Sequence, residues 1–322
     1  MMGKFALAAA LAICAAGTDA WAQSYPSKPI RLVVGFAPGG AADTVARALG
    51  EPLGRALGQP IVIENRAGAG SSIAAENVAK SPADGYSILI ASPASISVNP
   101  ALNANLNYRA SDLVPITKVS TSPLLIVVNP ATGIASVKDL VAAAKRSPGK
   151  LNYATSGIGS APHFGAALFS QVTGVEMVHV PFKGGSPAVV SLVAGDTQVS
   201  FATPPSVLPM VKAGRLRALA VTSPERSSLM PDVPGMAESG VPEFSIAFWY
   251  GIFAPAGTPP EIVRKLFEAV IAAAQRPEVK GTLAREGTEV SLSRSPEEFA
   301  AFLTEDAKLW VRLAKESGAT AD

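Results

Sequence analysis

Residues 33–49 read VVGFAPGGAADTVARAL. Gly35 and Gly40 have the spacing of a phosphate-binding G-x-x-x-x-G, but Ala41 and Ala42 stand where that motif requires Lys and Ser or Thr. A second stretch, LNYATSGIGSAPHFGAALF at 151–169, repeats the design: a strand, a Gly/Ser-rich turn, then an alanine-rich helix. The first N–H groups of a helix lack intrahelical partners, and the aligned peptide dipoles leave partial positive charge there. Glycines let an anion approach that backbone without any lysine. The chemistry these turns offer is the binding of a carboxylate.

In the first turn Gly39, Gly40 and Ala41 are candidate backbone donors, with Asp43 or Thr44 near the cap. In the second, Ser156, Gly157, Gly159 and Ser160 bring amides and hydroxyls, and His163 falls in the first helical turn. Each turn by itself is equally explained by a tight strand-to-helix connection, and a lone histidine is more often structural than a ligand contact. Two such turns in two halves favour a guest between them, because open α/β sheets bind at the carboxyl ends of their strands. A helix terminus contributes about 0.3–1 kcal/mol, or about 2 when desolvated, whereas micromolar binding needs about 8 kcal/mol. Charge-assisted hydrogen bonds and a cleft closing about a hinge must supply the rest.

Other candidate walls follow strand ends: ASPASIS (91–97), PFKGGSP (181–187) and FATPPS (201–206). Lys183 is the one cation among them and could equally be a solvated surface lysine. Only His163 and His179 are present, with no H-E-x-x-H and no cysteine cluster, so no metal site is expected. There is no G-x-S-x-G elbow, and GAGSSI (68–73) and GIGSAP (157–162) each lack the third glycine of a dinucleotide fingerprint. No cofactor is expected.

The elements that must position these turns alternate short β-branched runs with alanine-rich stretches, the pattern of α/β folding around parallel strands. Strands are expected at 30–34, 61–64, 87–91, 124–128, 151–154, 177–180, 199–201 and 218–221, and helices at 43–57, 72–79, 137–146, 162–172 and 187–194. Thr258-Pro-Pro-Glu261 and Ser295-Pro-Glu-Glu298 have capping-box form with proline at the first helical position. The helix opened by the second carries Phe299, Phe302, Leu303, Leu309, Trp310 and Leu313 on one core-facing stripe.

The N-terminus has Lys4, an apolar stretch from Phe5 to Ala16 and Ala20-Trp21-Ala22, so residues 1–22 read as a cleaved export signal. That apolar run is shorter than the roughly 20 residues of a spanning helix. The single cysteine, Cys14, lies inside the signal, which leaves the mature chain without thiol or disulfide chemistry. The formal net charge of +2 argues against nucleic acid as a partner. About 300 remaining residues suit two domains.

Six stretches, taken in order, carry a resemblance: YPSKPIRLVVGFAPGGAADTVAR (25–47), IVIENRAGAGSSIAAENVAKSPADGY (61–86), GKLNYATSGIGSAPHF (149–164), VPFKGGSPAV (180–189), GRLRALAVTSPERS (214–227) and PDVPGMAESG (231–240). They resemble the Bug family, the periplasmic solute-binding receptors of tripartite tricarboxylate transporters (TctC-like). The resemblance implies an α/β, two-domain periplasmic-binding-protein fold of type II, a Venus flytrap with its ligand cleft between the domains. Residues 23–124 plus 246–322 would form domain 1 and 125–245 domain 2. It implies a non-enzymatic, monomeric receptor that delivers a small carboxylate, a di- or tricarboxylate or an aromatic acid, to membrane permease subunits. Carried over with it are Gly39, Gly40, Ala41 and Asp43 from the first loop, Ser156, Gly159, Ser160 and His163 from the second, and Ser92 and Ser95 as a hydroxyl-rich wall. Many members place an acidic residue and Asn after the residue matching Phe201; this chain has Ala202-Thr203. The expected ligand therefore has no amino group. The alternative from another class is an exported hydrolase using the same cleft.

Overall fold

The structure is a computed structural model that describes residues 25–103 and 105–316. The expected export signal lies outside the described residues. Two sheets organise the chain. In the first, β1 (Ile30–Val34) pairs in parallel with β2 (Ile61–Asn65) and β3 (Ser87–Ala91). Next to β3 lies β10 (Ala247–Pro255), antiparallel to it, followed by β4 (Leu113–Pro123) and the short β11 (Glu289–Val290). In the second sheet β6 (Asn152–Thr155) pairs in parallel with β7 (Val178–Pro181) and β8 (Val199–Ala202). Beside β8 lies the antiparallel β5 (Leu125–Val128), then β9 (Arg217–Val221).

The two sheets follow one plan. Three parallel strands, with the earliest in the middle, are extended by an antiparallel strand that the chain brings in from the other lobe. β5 enters the second sheet directly from β4, and β10 returns to the first after β9. The near-continuous apolar runs on β1 and β3 follow from this layout, because parallel strands covered by helices are buried on both faces. Ile30, Leu32, Val33 and Val34 are accordingly buried, as are Ile88 to Ala91.

Helices α1 (Ala41–Leu57) and α2 (Ser72–Ala79) cover the first sheet. In the second half α3 (Val137–Arg146), α4 (Ala161–Thr173), α5 (Gly185–Ala194) and α6 (Pro204–Lys212) alternate with the strands. Phe169 of α4, Phe201 of β8 and Phe244 form an aromatic cluster there, with ring centroids 5.1–6.1 Å apart. The chain ends in α7 (Pro260–Ala274), α8 (Pro277–Arg285) and α9 (Pro296–Glu316), which return to the first sheet. The α9 ring of Phe299 seats on β10 where Gly251 leaves room for no side chain. Trp310 of the same helix reaches across to Phe164 of α4.

Some local expectations need correction. Thr258 does not cap α7: its hydroxyl donates back to Pro255 O at 2.7 Å, and Pro259 takes the N-cap position. Ser295 does accept from Glu298 N, at 3.2 Å, but the Glu298 carboxylate bonds the Arg294 amide instead of completing the box. Leu309 leaves the expected stripe and is exposed, while Phe299, Trp310 and Leu313 are buried. Strands β4, β10 and β11 and helices α6 and α8 were not foreseen.

The two crossings between lobes are tied by one side chain. Buried Thr222 accepts from Leu124 N at 2.7 Å through its hydroxyl, which donates to Ile246 O at 2.6 Å. Its own backbone also pairs with both residues, at 2.9 and 3.2 Å. Replacing Thr222 with Val keeps the shape but orphans a buried N–H and a buried carbonyl. The expected cost in urea denaturation is about 2 kcal/mol or more, and Thr222→Ser should recover most of it.

Candidate functional site

A cavity of about 220 Å³ opens between the lobes, on the carboxyl-end side of both sheets. From the first lobe it is lined by Gly35 and Phe36 after β1, by Gly68 to Ser72 before and at the start of α2, and by Asn99, Asn103 and Leu106. From the second lobe come Ser156 to Ile158 after β6 and Pro181 to Lys183 after β7. The starts of the two matching turns therefore reach one space. Their helix-proximal halves do something else.

The first turn meets the loop before α5. Ala37 N donates to Lys183 O at 3.3 Å, Ser186 Oγ donates to Pro38 O at 2.8 Å, and a Cβ at Gly40 would lie 3.7 Å from Gly185 N. The second turn meets the first lobe elsewhere. A Cβ at Gly70 would lie 2.5 Å from Ile158 O, and one at Gly159 would lie 2.5 Å from Asn99 Oδ1. At Gly70 backbone thus faces backbone across the gap, a closeness that only glycine permits, while Gly159 lies against the Asn99 side chain.

Of the predicted site residues, Ser156, Gly157 and Lys183 line the cavity. Gly39 does not offer its N–H to a guest, because that group donates to Asp43 Oδ2 at 2.9 Å. The Asp43 carboxylate is turned into its own lobe, accepting also from Arg47 Nε at 2.8 Å and Asn65 Nδ2 at 3.0 Å. Burial raises its pKa, but these bonds outweigh burial and hold it below the usual carboxylate range. Asp43 is thus a fixed anion that shapes the turn. Gly40 N bonds Ala37 O at 3.4 Å; among the described residues no protein acceptor takes the N–H of Ala41 or Ala42. Ser92 and Ser95 are buried behind the cavity, Ser95 with no partner for its Oγ. Thr203 is the N-cap residue of α6, with its hydroxyl on Ser206 at 2.8 Å.

The second turn is held from below by two imidazoles. His163 Nδ1 accepts from Gly159 N at 3.2 Å, so the ring carries its proton on Nε2. His179 Nε2 lies 2.6 Å from Thr155 Oγ1, which accepts in turn from Gly157 N at 3.2 Å. Ser160 Oγ donates to Gly157 O at 2.6 Å. The rings stack, His163 on His179 at 4.1 Å and His179 on Tyr153 at 5.0 Å. Burial, and then the neighbouring His179, push the His163 pKa down to about 3, and burial lowers His179 to about 4. His163 and Ser160 therefore support the turn, and neither lines the cavity.

The residues that sequence reasoning missed are on Gly68–Ser72. Ala69 and Ser71 hold φ of 46° and 77°, between glycines at 139° and 57°. A non-glycine residue in this region costs about 1–2 kcal/mol. The Asn99 amide pins the turn by donating to Ala69 O at 3.0 Å and Ser72 Oγ at 2.7 Å. GAGSSI was the visible signal, set aside because it failed as a dinucleotide motif.

With this geometry described, comparison with known proteins is decisive. Residues 45–319 match the profile of the family described as "Tripartite tricarboxylate transporter family receptor". The chain belongs to that receptor family. The receptor is 38% identical over 300 residues to Protein BugT of Bordetella pertussis, covering 92% of each chain. Among solved structures it is similar to Rpa4515 of R. palustris with adipate (34% identity, TM-score 0.88, covering 92% of this chain and 99% of that one). It is also similar to MatC (Rpa3494) from Rhodopseudomonas palustris with bound malate (31% identity, TM-score 0.85, covering 90% and 99%). The expected two-domain binding-protein fold and the Bug-family resemblance both hold.

The buried histidines make the receptor's stability depend on pH. The unfolded chain takes up protons as pH falls through about 6.5, whereas both folded rings stay neutral until about 4 and 3. Their part of the stability is whole above the unfolded value and is lost as pH falls through this window. The loss reaches about 1.4 kcal/mol per pH unit per ring. Denaturant titrations between about pH 7 and pH 5 should show this slope, and His163→Gln should remove about one ring's share.

Proposed function

We propose that this receptor captures a small organic carboxylate without an amino group in the cavity between its lobes, and hands it to the membrane permease subunits of a tripartite tricarboxylate transporter. It works in the periplasm as a monomer, after the N-terminal signal is cleaved. Residues 23–124 plus 246–322 move as one lobe and 125–245 as the other, hinged where Thr222 ties Leu124 to Ile246. One observation carries the reading: the cavity lining includes one formal charge, the exposed Lys183, and no carboxylate side chain. An anion is served by amides, hydroxyls and this cation. A ligand ammonium group would enter with no carboxylate to pair with, and an unpaired charge in a desolvated site is costly. The adipate and malate named with the two similar structures are acids of this class, without an amino group.

The hydrolase alternative has less to stand on. Thr155 and His179 form a close hydroxyl–imidazole pair, but Thr155 is fully buried and neither residue lines the cavity. The pair holds a loop in place and presents no nucleophile. Ester turnover abolished by a cavity substitution would restore the hydrolase reading.

A thermal-shift screen of organic acids tests the receptor reading. An acid at a hundredfold excess over its dissociation constant stabilises the native state by about 2.7 kcal/mol, which appears as a higher Tm. Aspartate and glutamate should bind at least about tenfold more weakly than succinate and glutarate, their counterparts without the amino group. Tight and selective aspartate binding in calorimetry would overturn the assignment of ligand class.

A further inference from the structure

Ser71 is fully buried, lines the cavity, and its Oγ has no hydrogen-bond partner. Such a hydroxyl is unusual, since a buried polar group normally finds a partner. It is also out of role. Ser71 is the N-cap residue of α2, where a serine oxygen ordinarily accepts from the first helical amides, yet it makes no cap bond because its φ is 77°. The hydroxyl instead packs over Gly35, which has no space for a Cβ beneath it. Beside it Gly70 lines the same space, and among the described residues no protein acceptor takes its N–H.

The surroundings explain how this arrangement is kept. Asn99 draws the carbonyls of Ala69 and Gly70 toward itself, at 3.0 and 3.4 Å. Ser72 Oγ accepts from Asn99 and turns its own proton to the Tyr108 oxygen at 3.3 Å, while the Tyr108 hydroxyl donates to Ser95 O at 2.7 Å. The acceptors of the turn are therefore engaged on its far side, while a hydroxyl is left over on the cavity side. Across the gap stand Ser156 and Ile158, whose N–H groups likewise have no protein acceptor among the described residues.

We propose that the Gly68–Ser72 turn is the anchor for the ligand's carboxylate, with Ser71 Oγ–H donating to one carboxylate oxygen from the first lobe while the Ser156–Ile158 segment closes on it from the second. This deepens the receptor reading and rests on it. The first-lobe anchor is then a turn other than the glycine turn that opens α1. It makes Ser71 a specificity residue: the hydroxyl rewards an acceptor at that point and leaves a purely apolar end group unrewarded.

Calorimetry on the full mature chain with adipate, malate and benzoate as probes tests this, using Ser71→Ala and Ser71→Gly. A hydrogen bond to a charged group is lost in both, so the dissociation constant of every probe that binds the wild type should rise by about tenfold to a hundredfold. Glycine prefers the positive φ, so Ser71→Gly should raise Tm in the absence of acid while weakening binding. A structural role for Ser71 cannot give those opposite signs, and the glycine variant decides if the alanine variant fails to fold. Wild-type affinity retained within about twofold by Ser71→Gly overturns this anchor and leaves the receptor reading standing. Failure of all three probes to bind the wild type overturns both.

Discussion

The lobes approach each other backbone to backbone, and most of what the site can do follows from that closeness. Gly70 against the Ile158 carbonyl and Gly184 against the Ala37 amide leave no depth for side chains at these points, and Gly159 packs directly on the Asn99 side chain. Peptide groups therefore form much of the cavity wall. A wall made of amides recognises the chemistry of an anion and reads the rest of the ligand by shape, through Phe36, Leu106, Ile158 and Phe182. A fold built this way can keep one mode of recognition while varying the acid it accepts, because the head-group contacts cost no side-chain specificity.

Rigid support is what lets bare backbone act as a receptor. Each turn at the gap is fixed from its own lobe: Asp43 holds Gly39, Asn99 holds Ala69 and Gly70, and the neutral His163 holds Gly159. These are charged or polar groups spent on positioning. Their own bonding capacity is largely used inside the protein, so the desolvated groups that remain face the cavity. The division explains why Asp43 and His163, the residues whose types first suggest chemistry, make no contribution to the cavity lining.

Much of the fold was legible because its signals are local. Parallel strands buried on both faces read as short apolar runs, so β1 and β3 were placed to the residue, and α2 and α3 with them. β4 and β10 were not, since Lys118, Thr121 and Ser122 interrupt the apolar pattern of one and bulges at Gly251 and Phe253 break the register of the other. The site was harder for a physical reason. Sequence shows which turns could bind an anion, but the pairing of turns across a gap is set by lobe packing. The start of α1 faces α5, and the second turn faces Gly70. Ser71 was invisible because its value lies in a bond it does not make.

That missing bond bears on how the lobes would move. Ser71 Oγ is buried over Gly35 of its own lobe with no partner, and a buried donor left unpaired costs about 1–3 kcal/mol. Direct lobe-to-lobe bonds beside the cavity, such as Ala37 to Lys183 and Ser186 to Pro38, return about 0.5–1.5 kcal/mol apiece. A carboxylate that satisfies the stranded donors binds the closed arrangement far better than the open one, and this differential affinity is the only lever by which a ligand shifts such an equilibrium. Under the proposed anchoring, the unsatisfied Ser71 hydroxyl is the group that would couple capture to closure.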